Sequence, residues 1–482
     1  MADLASIFKA YDVRGVIPDT FDADTARAIG AAFARVVGGE AVVVAHDMRP
    51  SSPELATAFA EGVTGQGLDV VFAGLGSTDL LYYGSGHLDL PGAMFTASHN
   101  PAEYNGIKMC RAGAAPISGE TGLDEIRRLA EEIMAGPKAS VEGGSPSRRG
   151  APSTGDGGRR EGLEGGAPAH DGPAGTVTHR DLLAGYADYL RELVDLSGIR
   201  PLRVAVDAGN GMGGHTVPAV LEGLPLEVVP LYFELDGTFP NHPANPLDPD
   251  NLVDLQAKVR ETGADIGLAF DGDADRCFVV DENGDAVPPS AVTALVAAQE
   301  LEREPGATII HNLITSQAVP EIVRENGGEP VRTRVGHSFI KATMAETGAI
   351  FGGEHSAHYY FRDFWRADTG MLAAMHVLRV LGNDDRPLSR IAEAYSRYAG
   401  SGEVNSKVAD APGRMAAVRE AFAGRDGVTV DELDGLTVSL PDGSWFNVRA
   451  SNTEPLLRLN VEAPDEASMA GLRDEVLAIV RA

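Results

Sequence analysis

Short apolar runs alternate with amphipathic stretches along most of the chain. Ala41–Asp47 (AVVVAHD), Leu68–Gly74 (LDVVFAG) and Gly92–Ser98 (GAMFTAS) have the continuous apolar character of buried strands, and Pro53–Thr64 has helical spacing. Further on, His179–Asp195 repeats apolar residues at helical intervals. Leu202–Ala208, Leu226–Glu234, Ala264–Asp271, Cys277–Gly284, Ala307–Leu313 and Ala349–Glu354 read as strands. Strands separated by helices of about 10–15 residues predict βαβ units and mixed or parallel sheets. Successive α/β blocks of about 100 ordered residues fit an internal triplication. The C-terminal stretch differs. Thr437–Ser451 (TVSLPDGSWFNVRAS) holds two strands around Pro441-Asp442-Gly443, a hairpin signal, and Glu466–Val480 closes the chain as a helix. A smaller α+β domain is expected there.

One segment breaks the pattern. Gly136–Thr176 is rich in Gly, Pro and Ser and poor in large apolar residues, so it cannot bury enough surface to offset its ordering entropy. A solvated, poorly ordered insertion is expected.

Composition then narrows the class. The chain has 482 residues, 43% of them hydrophobic, which is ample for several packed domains of about 100–200 residues. A formal net charge of −30 argues against nucleic acid and would repel phosphorylated substrates at long range. Any anion site must therefore be a local cluster of Arg and Lys. The two cysteines, Cys110 and Cys277, form no disulfide framework and fit a reducing compartment. The opening MADLASIFKAYDVRG lacks a secretory pattern, and no apolar run reaches the ~20 residues that span a bilayer. A cytoplasmic protein without membrane or nucleic-acid partners is expected.

Four segments carry candidate chemistry. In Phe95-Thr96-Ala97-Ser98-His99-Asn100-Pro101 a strand ends at a hydroxyl and Asn-Pro forces a turn, which can present Ser98 beside the His99 imidazole. A serine hydroxyl is a weak nucleophile that needs activation or prior phosphorylation, and an ordinary strand-end turn competes with this reading.

In Asp271-Gly272-Asp273-Ala274-Asp275-Arg276, carboxylates at alternate positions can converge on one hard cation, and oxygen-only ligands favour Mg2+ or Ca2+. The spacing also suits an EF-hand, with Glu282 at the twelfth position. However, Arg276 stands where that loop needs Gly, and the flanks are strand-like. A solvated acidic turn is the plainer alternative.

Gly353–His358 (GEHSAH) offers a carboxylate, a hydroxyl and imidazoles suited to sugar hydroxyls. A capping turn competes, and no HExxH pattern supports a zinc loop. Arg449–Pro455 (RASNTEP) combines a guanidinium with Ser451, Asn452 and Thr453 as an oxyanion cradle, against a loop that satisfies its own backbone. A rival reading comes from Gly209–Gly214 (GNGMGG), which follows a strand and matches GxGxxG, with Glu234 about twenty residues on. An NAD-dependent dehydrogenase would use that loop and leave the serine turn, the aspartates and the anion loop without a role.

In this order and spacing, the four segments resemble the α-D-phosphohexomutase superfamily over essentially the whole chain except the insertion. GEHSAHYYFRDF and DTGMLAAMHVL look most like bacterial phosphomannomutases, whose relatives act on glucose phosphates or on both sugars. The resemblance implies an α/β, four-domain architecture. Three related α/β domains with mixed sheets (1–180, 181–285 and 286–396) and a smaller α+β C-terminal lid (397–482) would each supply one loop to a cleft. It implies that Ser98 is phosphorylated and that Ser98, Asp271, Asp273 and Asp275 hold one Mg2+. Arg276, Arg14 (in YDVRG) and Lys108 (in NGIK) would lie beside the phosphoserine. Glu354 and Ser356 would read the sugar, with His337 (in RVGHSFIK) and Lys341 in the third domain's sugar loop. Arg449, Ser451, Asn452 and Thr453 would hold the non-reacting phosphate. Ala274 stands where many relatives have Gly, a change tolerable if the backbone there has negative φ. His355 and Ala357 stand where some dual-specificity relatives have Met and Gly, which weakens transfer of sugar preference.

On this reading phosphorylated Ser98 donates its phosphoryl group to the free hydroxyl of a mannose or other hexose phosphate. A hexose 1,6-bisphosphate forms, turns in the cleft and returns its other phosphate to Ser98. Catalysis then rests on positioning and charge neutralisation. Lys108 and His99 both remain open as general acid/base. Arg14, Lys108, Arg276, Arg334, Lys341 and Arg449 would form the required basic cluster. The partner is a phosphosugar, and the chain a monomer or homodimer. A phosphoserine hydrolase is opposed by the anion loop, and a non-catalytic sensor by the presence of Ser98.

Overall fold

The computed structural model describes residues 4–136, 172–450 and 456–482. Four sheets are built, and three share one plan. In the first, Ala41–His46 lies parallel between Asp69–Leu75 and Gly92–Phe95, and Gly92–Phe95 pairs antiparallel with Tyr104–Arg111. In the second, Leu202–Asp207 lies parallel between Leu226–Leu231 and Ile266–Phe270, followed by antiparallel Cys277–Val280 and Ala286–Val287. In the third, Thr308–Asn312 lies parallel between Glu329–Thr333 and Phe351–Gly353, followed by antiparallel Tyr359–Phe361 and Ala367–Asp368. The first sheet adds Val13–Val16 and Ala115–Pro116 on Tyr104–Arg111, and Val177–His179 on Asp69–Leu75.

The repeated plan aligns the chemistry. In each sheet the third parallel strand turns straight back into an antiparallel neighbour. Those turns are residues 96–103, 271–276 and 354–358, so the serine turn, the aspartate loop and the Glu-His loop occupy one topological position three times. All three lie at the carboxyl ends of parallel strands, where α/β sheets leave room for ligands. The central strands are apolar on both faces because helices cover both; Ile266–Phe270 is buried at every position.

The fourth unit is an antiparallel sheet in the order Ala399–Lys407, Leu456–Ala463, Trp445–Ala450, Leu436–Ser439 and Thr429–Asp431, backed by Ala411–Ala423 and Glu466–Val480. It has its own core, around Phe422, Phe446, Leu459 and Val476. A continuous core runs from Leu81 and Tyr186 through Phe270 to Leu295 and Phe351, joining the other three units. The fourth unit meets the third through polar contacts. The Gln317 N–H donates to Glu462 Oε1 at 2.8 Å, and the Val335 N–H to Asp434 Oδ2 at 3.1 Å. Among the described residues, no helix is long and apolar enough to cross a membrane.

Three expectations change, and the EF-hand reading stays excluded. The strand over Gly92–Ser98 stops at Phe95, because Thr96–Asn100 turns toward the aspartate loop. The helix over His179–Asp195 starts only at Leu183, because Val177–His179 joins the edge of the first sheet. Residues 137–171 of the Gly/Pro/Ser-rich segment lie outside the described residues. Its end is tied down, since Gly175 N–H donates to the Thr64 carbonyl at 2.9 Å and Thr176 N–H to Asp69 Oδ1 at 2.6 Å. Glu282, the twelfth EF-hand position, accepts hydrogen bonds from the Ser389 hydroxyl and N–H instead.

Candidate active site

Ser98 opens the first of the three equivalent turns with φ of 48°, in the left-handed region that few non-glycine residues adopt. Arg49 holds this turn from beneath. Its buried guanidinium donates to the carbonyls of Ser98 (2.9 Å), Asn100 (2.7 Å), Pro101 (2.7 Å) and Tyr104 (3.0 Å), and pairs with Asp47 at 3.3 Å. The Ser98 hydroxyl donates to Asp271 Oδ2 at 2.8 Å and lies 3.2 Å from His99 Nδ1. Crowding by protein, with Arg276 and Arg14 nearby, lowers the His99 imidazole from its ordinary value, although the side chain keeps an exposed face.

Asp271, Asp273 and Asp275 are buried, and one oxygen of each lies within 4.8 Å of the others. Asp273 Oδ1 and Asp275 Oδ1 accept no hydrogen bond among the described residues. Buried carboxylate oxygens without donors are costly unless a cation takes them, and an all-oxygen set suits Mg2+ or Ca2+. The triad therefore fits one divalent cation. Its remaining oxygens are already engaged. Lys108 Nζ donates to Asp273 Oδ2 at 2.7 Å and to Asp275 Oδ2 at 2.5 Å, Thr78 Oγ1 to Asp273 Oδ2 at 2.6 Å, and Arg276 Nε to Asp271 Oδ2 at 3.0 Å. Burial alone would lower the Lys108 value, but Asp273 and Asp275 raise it above the ordinary range, so the ammonium keeps its proton. Burial pushes the Asp271 carboxyl up to about 6 against the pull of Arg276. Burial would raise the Asp273 carboxyl, but Lys108, Thr78 and Arg14 together hold it low.

Two sequence expectations are corrected in this loop. Ala274 has φ of 59°, so the negative φ that would make alanine tolerable there is not observed. The GNGMGG loop packs backbone-to-backbone on the aspartate loop. The Met212 N–H donates to the Gly272 carbonyl at 2.9 Å, and a Cβ on Gly211 would lie 2.7 Å from that oxygen. A Cβ on Gly272 would in turn lie 2.4 Å from the Ser98 carbonyl. These glycines let three backbones approach closely, and the face a dinucleotide pyrophosphate would need is filled by protein. The dehydrogenase reading falls with it.

The third turn closes on itself, with Glu354 N–H donating to the His358 carbonyl at 3.0 Å and Ala357 at φ of 64°. Glu354 accepts from Tyr360 Oη at 2.5 Å and from Asn312 Nδ2 at 3.0 Å. Ser356 Oγ lies 3.1 Å from His358 Nδ1, and His358 Nε2 lies 3.7 Å from Asp275 Oδ1, which joins this turn to the aspartate loop. Lys341 pairs with Asp368 at 2.8 Å over the Tyr82 ring. His337 is pushed down to about 3 by burial and by Lys341, and meets Tyr11 edge-on at 4.8 Å. Arg14 pairs with Asp12 at 2.8 Å and donates to the Thr96 carbonyl at 3.3 Å.

Arg449 donates to Glu403 at 2.8 Å, and both residues act on the half-buried His355 of the third turn. Ser451, Asn452 and Thr453 lie outside the described residues. Arg334 sits over the Phe339 ring at 4.6 Å. The expected basic cluster is thus a set of ion pairs. Arg14, Lys108, Arg276, Lys341 and Arg449 each face a carboxylate. Sequence reasoning missed Arg49, Thr78, Asn312, Tyr360 and Asp368, which lie in ordinary strand and helix ends with no spacing to mark them.

Comparison with known proteins decides the family. Models described as phosphoglucomutase/phosphomannomutase α/β/α domains I, II and III match residues 5–136, 184–284 and 288–398, and the C-terminal domain model matches 403–479. The chain belongs to the phosphoglucomutase/phosphomannomutase family. As a member it is an intramolecular phosphotransferase. A phosphomannomutase from Escherichia coli is 38% identical, covering 98% of this chain and 99% of that protein. A phosphomannomutase/phosphoglucomutase from Pseudomonas aeruginosa is 37% identical, covering 97% and 94%. The crystal structure of a phosphoglucomutase/phosphomannomutase family protein from Burkholderia thailandensis superposes with a TM-score of 0.84 at 34% identity, covering 99% of this chain and 97% of that one.

Proposed function

We propose that the chain is a phosphomannomutase that interconverts mannose 6-phosphate and mannose 1-phosphate through phosphorylated Ser98 and a hexose 1,6-bisphosphate intermediate. The observation that carries this reading is the Ser98 hydroxyl 2.8 Å from Asp271, inside a triad of buried carboxylates. A phosphate on that oxygen would press against a carboxylate, which a buried site tolerates only with positive charge between them. Asp271, Asp273 and Asp275 would hold Mg2+, which when bound supplies that charge and draws electron density from phosphoryl oxygens.

Arg276 and Lys108, fixed by their ion pairs, would add permanent positive charge around the transferring group. Two carboxylates of the triad hold the Lys108 ammonium in place. When a sugar hydroxyl takes the phosphoryl group it loses a proton and Ser98 Oγ gains one on leaving, and the return step runs this backwards; His99, 3.2 Å from Ser98 Oγ, would relay that proton between the two oxygens. Glu354 and Ser356 would read the sugar hydroxyls, with His337 and Lys341 beside them. Arg449, Ser451, Asn452 and Thr453 would anchor the non-reacting phosphate, and one anchor that accepts either end of the sugar serves both half-reactions.

The mannose assignment is supported by the name of the Escherichia coli relative. The name of the Pseudomonas aeruginosa relative supports dual action on glucose phosphates as the second reading. Two buried, unpaired cysteines support a cytoplasmic setting. The test is a mutase assay with mannose 1-phosphate and glucose 1-phosphate in parallel, with Mg2+ and a trace of bisphosphate. Intact mass should show about 80 Da added at Ser98, one phosphate. No turnover of either sugar rejects the reading.

A further inference from the structure

We infer that the Tyr360 hydroxyl and the Asn312 amide are positioning residues that aim the Glu354 carboxylate, and that through it they set how tightly the hexose ring is held. This rests on the reading of Glu354 as a sugar-contacting residue.

Glu354 follows the strand Phe351–Gly353 and is only 3% exposed. Its two oxygens are held by residues of the two strands that flank its own. Tyr360 lies on the antiparallel neighbour, opposite Gly352, and its hydroxyl reaches Oε1 at 2.5 Å. Asn312 ends the parallel neighbour on the other side, and its amide nitrogen reaches Oε2 at 3.0 Å. The amide orientation is fixed by the Ile314 N–H, which donates to Asn312 Oδ1 at 3.3 Å, while the Thr315 hydroxyl gives its single proton to the Asn312 backbone carbonyl at 2.5 Å. The NH2 edge must therefore face the carboxylate. Tyr360 is fully buried, and burial together with Glu354 raises its phenol well above the ordinary value, so it remains a donor.

A carboxylate has about four acceptor directions. Two are occupied by these donors, and one remains on each oxygen for a pair of hydroxyls. Rotation of the carboxylate is already frozen before substrate arrives, so that ordering is not charged against sugar binding. Removing either donor frees the carboxylate to turn within its pocket, which weakens every contact it makes.

Tyr360→Phe keeps the ring and its packing and deletes only the O–H. The expected result is an enzyme whose folding transition stays close to the parent's. Its KM for mannose 1-phosphate rises about tenfold while kcat changes less. Glu354→Gln is measured alongside, and the double variant should be no weaker than Glu354→Gln alone, because both changes act through one group. A Tyr360→Phe enzyme with the parent's KM overturns the inference, as do penalties that simply add in the double variant. A parent chain that turns over no hexose phosphate removes the functional reading and this inference with it. An active parent matched by Tyr360→Phe removes this inference alone.

Discussion

Arg49 and Ser98 are 49 positions apart in the chain, yet the Arg49 guanidinium donates to the Ser98 carbonyl at 2.9 Å. The carbonyls of Asn100 and Pro101 in the same turn, and of Tyr104 just after it, lie on that one side chain. A planar fork with five donors suits this task, and an ammonium does not. Arg49→Lys should therefore lower kcat at least about a hundredfold with little change in KM. Arg49→Ala should also cost about 3–5 kcal/mol, since Asp47 would be left buried without its partner. Steady-state kinetics and urea unfolding check both; parental kcat in Arg49→Lys would show that the turn holds itself.

Ser98→Ala should lose turnover by several orders of magnitude while substrate still binds, because the phosphoryl acceptor is gone and the sugar contacts remain. Calorimetric titration beside the mutase assay separates the two. Chelation of divalent cations should abolish turnover reversibly in the parent, as expected if the buried Asp273 and Asp275 oxygens need a cation. Sustained activity after exhaustive chelation would count against the triad.

Ala274 and Ala357 sit at φ of 59° and 64°. The left-handed region crowds a Cβ, and glycine enters it without that cost. Ala274→Gly and Ala357→Gly should each stabilise the fold by about 0.5–1 kcal/mol. Denaturant midpoints at constant m-value provide the measurement, and unchanged or lower midpoints would mean that the surroundings have already absorbed the strain.

Asp79 joins three units, accepting from Ser77, from Tyr186 at 2.6 Å and from Thr369 at 2.7 Å. Burial raises its carboxyl to about 6, from 3.8. Below 3.8 both folded and unfolded states are protonated. Between 3.8 and about 6 only the unfolded state ionises, so the unfolded state binds fewer protons and stability falls as pH rises. The loss through this window is up to about 3 kcal/mol. Asp79→Asn should flatten the decline relative to the parent, as read from unfolding free energies at pH values across the window.

Arg449 is bound to Glu403 at 2.8 Å, so an incoming phosphate must share or displace that carboxylate. Arg449→Ala should raise KM for both phosphosugars with a smaller effect on kcat. Glu403→Gln should lower KM by removing the competitor. Unchanged KM values in Arg449→Ala would dismiss the anchor.

Local pattern fixed much of this protein. Val42, Val43 and Val44, three consecutive β-branched residues, marked a buried strand, and Glu466–Val480 carries its own Asp465 cap and apolar positions. The Asp271, Asp273 and Asp275 spacing marked a candidate cation loop because one short stretch of backbone carries all three carboxylates. Arg49, Asn312 and Tyr360 gave no such sign. Each acts on a residue presented by a different strand, across hydrogen bonds that exist only once the sheets are registered. The sign of φ at Ala274 was likewise invisible, because a backbone dihedral in a tight loop follows from what the loop packs against. Periodicity and spacing are local properties and can be read from the chain itself. Which buried donor meets which acceptor depends on contacts between distant segments, and those are decided only when three repeated sheets bring their equivalent turns together.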